Sequence, residues 1–289
     1  DKKSEALNAF RNASQMDFTP EIQKDAYLNY ARLSYEIGNP YESVPQVLTT
    51  YLDKYPNDSN TQEIQGLLVD SFITSKNFEG AMALLEKNKN YASKATYQKV
   101  AFYRGVELFI DNNYQGAIDA FKKSLSNAEE GGFKARANYW KAESEYALNH
   151  FDDALVDYVQ FQQNPSAKST PEYNDLNYNL AYTYFKLKDY NNAITYFGNF
   201  TGSSPSDTDR LHDAYLRLGD SYFVTSKYWP AIETYNKALA LKGPEQDYAT
   251  YQKALSYGFI DRSDTKIEEL NKFISNYPNS PLNDDALFE

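Results

Sequence analysis

Two histidines, 40 acidic residues and no cysteine are the material from which any chemistry in this 289-residue chain would be built. His150 and His212 stand far apart, and neither belongs to an HExxH-type pair that would set two imidazoles around zinc on one helix face. Without a thiolate there is no disulfide framework, no sulfur nucleophile and no thiolate metal site. Acids do occur in pairs, at Glu129-Glu130, Asp152-Asp153, Glu268-Glu269 and Asp284-Asp285. General acid–base work needs two carboxyls converging on one substrate, whereas neighbours on a helix point about 100° apart. These pairs read as helix-start or solvated charges. No GxGxxG, P-loop or G-x-S-x-G pattern occurs, and Gly131-Gly132 reads as a link between helical elements. The expectation is therefore no catalytic site, no metal and no cofactor, with His150 in a turn and His212 near a helix start, both solvated.

Charge narrows the partners. Forty acids against 29 bases leave a net charge of -11, which argues against nucleic acid, since phosphate backbones are held by clustered Lys and Arg. A basic partner, or simply solubility, fits better. Apolar residues make up 42% of the chain, enough for a core, yet no run approaches the 18 apolar residues of a membrane span. The 27 Tyr and 17 Phe are unusual. Tyr suits seams half in a core and half in water, because its ring packs while its hydroxyl stays solvated.

The elements that would position these side chains repeat along the chain. Ala231 has Tyr228 three residues before it and Tyr235 four after; the same trio recurs at Ala193 with Tyr190 and Phe197, Ala154 with Phe151 and Tyr158, and Ala117 with Tyr114 and Phe121. Weaker copies are Ala81 with Phe78 and Leu85, Val44 with Tyr41 and Leu48, Ala6 with Phe10, and Lys266 with Leu270. Intervals between anchors run from 35 to 39 residues. Nine residues before the anchors stand Tyr35, Phe72, Leu108, Glu145, Tyr184, Tyr222 and Tyr257, with Glu145 the exception, and three before those a mostly small residue such as Gly105, Ala142, Ala181, Gly219 or Ala254. Spacings of three and four are helical, so each unit reads as two helices joined by a polar turn, for example Asp111-Asn112-Asn113 or Leu148-Asn149-His150. Helices cross closely only where one presents a small side chain, and stacked hairpins complete one another's cores. The expected units are 1–19 (a second helix only), 20–58, 59–90, 91–128, 129–165, 166–206, 207–243 and 244–280, a single array that reads as part of a longer one.

This pattern resembles the tetratricopeptide repeat (TPR) family. Its small, aromatic, aromatic, Ala and aromatic positions are matched best by Tyr215, Leu218, Gly219, Tyr222, Tyr228, Ala231, Tyr235 and Ala238, and next by Leu180, Ala181, Tyr184, Tyr190, Ala193 and Phe197. The resemblance implies an all-α fold, an α-α superhelix of about seven hairpins, and a non-catalytic scaffold binding a protein or peptide along its concave face. Two repeat ends, Tyr51 to Ser59 and Phe273 to Ser280, carry Tyr-Pro-Asn and resemble bacterial envelope TPR proteins such as the β-barrel assembly lipoproteins and TolA-associated periplasmic proteins. That implies a periplasmic setting, with the cytoplasm as the other possibility.

In TPR arrays the groove lies on the first helices, at positions two, five, nine and twelve of each repeat. Carried onto this chain, the candidate binding residues are Phe102 and Val106, then Arg136, Tyr139 and Glu143, then Tyr178, Tyr182 and Phe185, then Leu216 and Asp220. Position five carries Phe102, Tyr139, Tyr178 and Leu216 where a carboxylate clamp would need Lys, Asn or Arg, so a clamp is not expected. An aromatic groove suits a peptide anchored by rings; it would also suit sugar rings, as in a glycan-binding subunit of an outer-membrane uptake complex. Self-association is a further possible use of such a surface.

Overall fold

Six of the helix-to-helix turns share one hydrogen-bonded geometry, and that geometry sets the hairpins. The computed structural model describes residues 2–17, 19–203 and 205–289; Asp1 and Phe18, inside the expected first unit, and Ser204 lie outside them. The described residues form two units that meet in sequence at 144/145. The first holds α1 (Lys2–Gln15), α2 (Pro20–Ile37), α3 (Val44–Lys54), α4 (Thr61–Thr74), α5 (Phe78–Lys87), α6 (Lys94–Ile110), α7 (Tyr114–Ser126) and most of α8 (Gly131–Ala147). The second holds the end of α8, then α9 (Phe151–Gln163), α10 (Leu176–Lys186), α11 (Tyr190–Gly202), α12 (Thr208–Val224), α13 (Tyr228–Ala240), α14 (Gln246–Gly258), α15 (Ser263–Asn276) and α16 (Asn283–Phe288). Gly131-Gly132 therefore opens a helix instead of linking two. The loop before it is pinned by the buried Gln98, whose Oε1 accepts from the Glu129 and Glu130 amides at 3.0 and 2.8 Å.

In each of the six turns the residue two before the second helix is left-handed: Lys76, Asn112, Asn149, Lys188, Ser226 and Asp261, with φ between 55° and 61°. The next residue's N–H reaches back to the carbonyl five residues earlier, at Phe72, Leu108, Glu145, Tyr184, Tyr222 and Tyr257, over 2.8–3.1 Å. This closes the first helix as a Schellman motif, satisfying a carbonyl that the helix end would orphan. That same next residue caps the second helix where its side chain allows, as Asn77, Asn113 and Asp189 do by accepting from the amide three residues on. Edge-to-face rings fasten four turns: Phe109–Tyr114, Tyr146–Phe151, Phe185–Tyr190 and Phe223–Tyr228, with centroids 5.1–5.6 Å apart.

Between paired helices the small residues mark the close approach. Ala81, Ala117, Ala154, Ala193 and Ala231 are fully buried. A Cβ added to Gly105 would lie 2.5 Å from the Phe121 ring, and one added to Gly219 would lie 2.6 Å from Tyr235. The array cores follow, with Tyr30, Val47, Leu48, Tyr51 and Ile64 at the start of the first unit and Ala181, Ala193, Phe197 and Leu218 in the second.

The shared turn yields a direct expectation. Lys188→Ile puts a β-branched side chain into the left-handed region and should lower the unfolding free energy by about 1–2 kcal/mol, while Lys188→Gly leaves it within about 0.5 kcal/mol, because relief of the φ strain is offset by chain entropy. Urea melts followed by helical circular dichroism would separate the two.

Candidate partner-binding surface on the first helices

The ten candidate residues separate by depth. Position five is core in three of four repeats: Phe102, Tyr139 and Leu216 are 0%, 5% and 1% exposed. Phe102 on α6 is ringed by Phe121 of its own second helix and by Phe133 at the start of α8, at 5.9 and 5.3 Å. Leu216 on α12 packs with Ala231 and Tyr235 of its own second helix and with Ala249 of the next first helix. Counting 100° per residue places these side chains away from their partner helix, but that count sees only one neighbour. The following repeat supplies a second wall, and position five falls into the seam between them. Asp220 is also buried, at 8% exposure. These four residues are corrected from groove to interior.

Val106, Arg136, Glu143, Tyr178, Tyr182 and Phe185 remain half-buried on first helices. In the first unit the Arg136 guanidinium lies 4.8 Å above the Phe102 ring, and Val106 packs on the same aromatic cluster. In the second unit the strip is richer. Tyr178 and Tyr182, one turn apart on α10, meet edge to face at 5.0 Å and both donate to Asp213 on α12, Tyr178 at 2.8 Å. Phe185 is engaged in its turn, edge-on to Tyr190.

Sequence reading missed the cations that organise this strip. Arg217 on α12 reaches Asp220 at 3.0 Å, Asp213 at 3.6 Å and Glu245 at 3.0 Å. Asp220 in turn accepts from the hydroxyls of Tyr235 and Tyr248, at 2.8 and 2.9 Å. Arg210 pairs with Asp175 at 2.6 Å beneath the Tyr178 ring. A chain of charge-assisted bonds thus runs α10–α12–α14, across three successive first helices. Burial works against the Arg217 charge, yet Asp220, Tyr182 and Glu245 hold its pKa above the ordinary range. Burial pushes the Asp220 carboxyl up, against the pull of Tyr235 and Arg217, and it pushes the Tyr178 and Tyr182 hydroxyls up further, reinforced by Asp213. One sequence signal could have found the centre of this network: Arg217 has an acid four residues before it and another three after, both on its own helical face.

His212 departs from expectation as well. It is 1% exposed, its ring lying under Gly243, because the α13–α14 loop folds back over the first turn of α12. Among the described residues no three His, Cys, Asp or Glu side chains gather in a way that could hold a metal ion, and no helix is long and apolar enough to cross a membrane.

Residues 175–207 and 248–280 each match a family described as tetratricopeptide repeat. No curated protein matches the sequence. Among solved structures, YrrB, described as a TPR protein with an unusual peptide-binding site, superposes with a TM-score of 0.57 at 18% identity, over 73% of this chain and 98% of YrrB. A MamA structure gives 0.52 at 20% identity, over 63% and 92% of the two chains. MamA from Desulfovibrio magneticus RS-1 gives 0.51 at 17% identity, over 64% and 97%. At these identities the likeness is one of fold, an all-α solenoid of helical hairpins.

Proposed function

The chain is a tetratricopeptide repeat protein, and from that premise we propose that it is a non-catalytic scaffold that holds a protein or peptide partner against its first helices. The observation that carries this reading is the half-exposed strip of Tyr178, Tyr182 and Phe185 on α10, preorganised by Asp213 and the arginines of α12. Rings held in place bind with little further loss of side-chain freedom. In the first unit Val106, Arg136 and Glu143 offer the corresponding strip. The net charge of -11 favours partners with basic segments. The peptide-binding description of YrrB points the same way. The Tyr-Pro-Asn repeat ends suggest a bacterial envelope setting on the periplasmic side, and self-association is compatible with the same surface.

A glycan-binding subunit is the second reading, favoured by a different feature. Phe259 is 59% exposed and lies parallel to Tyr228 at 4.7 Å, with Trp229 54% exposed nearby in sequence. Exposed flat rings suit sugar stacking.

Selection of displayed random peptides against the immobilised chain tests the first reading. The expected result is enrichment of Lys- and Arg-containing peptides whose binding falls at least tenfold in Tyr178→Ser and in Tyr182→Ser, with helicity retained. Peptides that bind both variants unchanged would refute the strip as the site. Binding of polysaccharide lost in Phe259→Ala, without any peptide enriched, would favour the glycan reading.

A further inference from the structure

His212 is the one buried histidine, and it sits where two hairpins join. Its ring fills the space beneath Gly243, where a Cβ would lie 2.4 Å from the imidazole. Its Nε2 is 3.3 Å from Nε2 of Gln246, the first residue of α14. In that arrangement the amide donates to the ring, so the ring proton stays on Nδ1, which has no hydrogen-bond partner. The loop over the ring is conformationally stretched, with Lys242 and Glu245 both left-handed at φ 53° and 58°. A neutral imidazole closes this joint with one hydrogen bond and good packing.

A charged imidazole cannot do so. Both nitrogens would then donate. Rotation of the Gln246 amide could serve Nε2, and the Nδ1 proton is unanswered in either state, so what the charged form adds is a full positive charge on a ring only 1% exposed, out of reach of water. The charged groups facing the ring are Asp209, Asp213 and Arg217 on α12 and Glu245 ahead of α14. Asp213 is already taken by Tyr178, Tyr182 and Arg217, and Glu245 by Arg217. We propose that His212 is an acid-sensitive latch for the joint between the α12–α13 and α14–α15 hairpins, closed while the ring is neutral and loosened when it takes up a proton. The latch acts on the joint itself and is independent of which partner the first helices hold.

The sign follows from proton linkage. Burial, the largest influence, moves the His212 pKa down from the ordinary 6.5, although the neighbouring carboxylates act upward. Below pH 6.5 the opened chain therefore binds more protons than the closed one, and closure is lost progressively as pH falls. Above that value it is fully present. Few other groups compete in this window, since the chain has two histidines and no cysteine, and His150 is exposed. Asp220, raised by burial, would shift stability the opposite way, towards acid.

Hydrogen exchange of the full chain, read by mass spectrometry over residues 241–250 and corrected for intrinsic rates, tests this at pH 7.5 and 5.5. Protection in the wild type is expected to fall by up to about tenfold at the lower pH, the limit for one group titrated one unit below its free value. His212→Gln should abolish most of that fall. Gly243→Ala, which evicts the ring mechanically, should show the low protection already at pH 7.5. An equal fall in His212→Gln, or none in the wild type, would overturn the latch. Should His212→Gln fail to fold, proton NMR of the two wild-type imidazoles decides: a buried ring titrating at or above 6.5 rules the proposal out.

Discussion

Arg217→Met is expected to lower the unfolding free energy by about 3 kcal/mol, because it leaves the buried Asp220 without the cation it pairs with. Met keeps the apolar stem of the side chain and its packing but removes the cation that pairs with Asp220 at 3.0 Å, a residue only 8% exposed. Tyr235 and Tyr248 would still donate to that carboxylate, but hydroxyls do not neutralise charge, and Asp213 and Glu245 would lose their counterion as well. A surface pair gives the contrast. Arg32 meets Glu63 through two bonds of 2.7 and 2.6 Å, a better geometry, yet their side chains are 39% and 44% exposed. Water and salt screen it, so Arg32→Met should cost about 0.5–1 kcal/mol. Urea melts of Arg217→Met, Asp220→Asn and the double variant check the claim. The amide keeps both tyrosine hydrogen bonds while removing the charge, so the double variant should recover about 1 kcal/mol or more relative to additivity. Strict additivity would mean that Arg217 acts through packing alone.

The hairpins were legible because their physics is local. A close helix crossing admits only a small side chain, so Ala117, Ala154, Ala193 and Ala231 recur at the crossing and give away both the register and the period. Turns were half legible. Asn112 and Asn149 announce a left-handed residue, but Lys76, Lys188 and Ser226 take the same φ with no such signal. There the Schellman hydrogen bonds impose the conformation, helped at Lys188 and Ser226 by the ring pair across the turn, and the side chain tolerates it. The candidate surface was less legible because it depends on a second neighbour. Whether Phe102 or Tyr178 is covered turns on how far the following repeat leans over position five, and no count along one helix contains that. His212 is hidden for a related reason: its burial is made by a loop some thirty residues downstream, where Gly243 leaves the space that the ring occupies.

The glycines give the second large effect, and here two opposing magnitudes decide the sign. Ala favours a helix interior over Gly by about 0.5–1 kcal/mol. At Gly198 in α11 an added Cβ meets nothing within 4 Å, so Gly198→Ala should stabilise by roughly that amount. At Gly219 in α12 the same methyl would stand 2.6 to 2.9 Å from three atoms of the Tyr235 ring. That ring cannot step aside cheaply. It is fully buried, and its hydroxyl is tied to Asp220 at 2.8 Å, so moving it loosens the Arg217 network along with the packing. Overpacking of this kind costs about 1–3 kcal/mol, which outweighs the propensity gain, and Gly219→Ala should destabilise by about 2 kcal/mol net. Gly219→Ala combined with Tyr235→Leu tests the cause, since a smaller ring-free side chain gives the methyl room. If the fold tightens its seam on Tyr235, the second substitution will cost less in the Gly219→Ala background than in the wild type. If the two costs simply add, the clash is relieved by backbone movement, and the α12–α13 crossing is softer than its 2.6 Å approach implies.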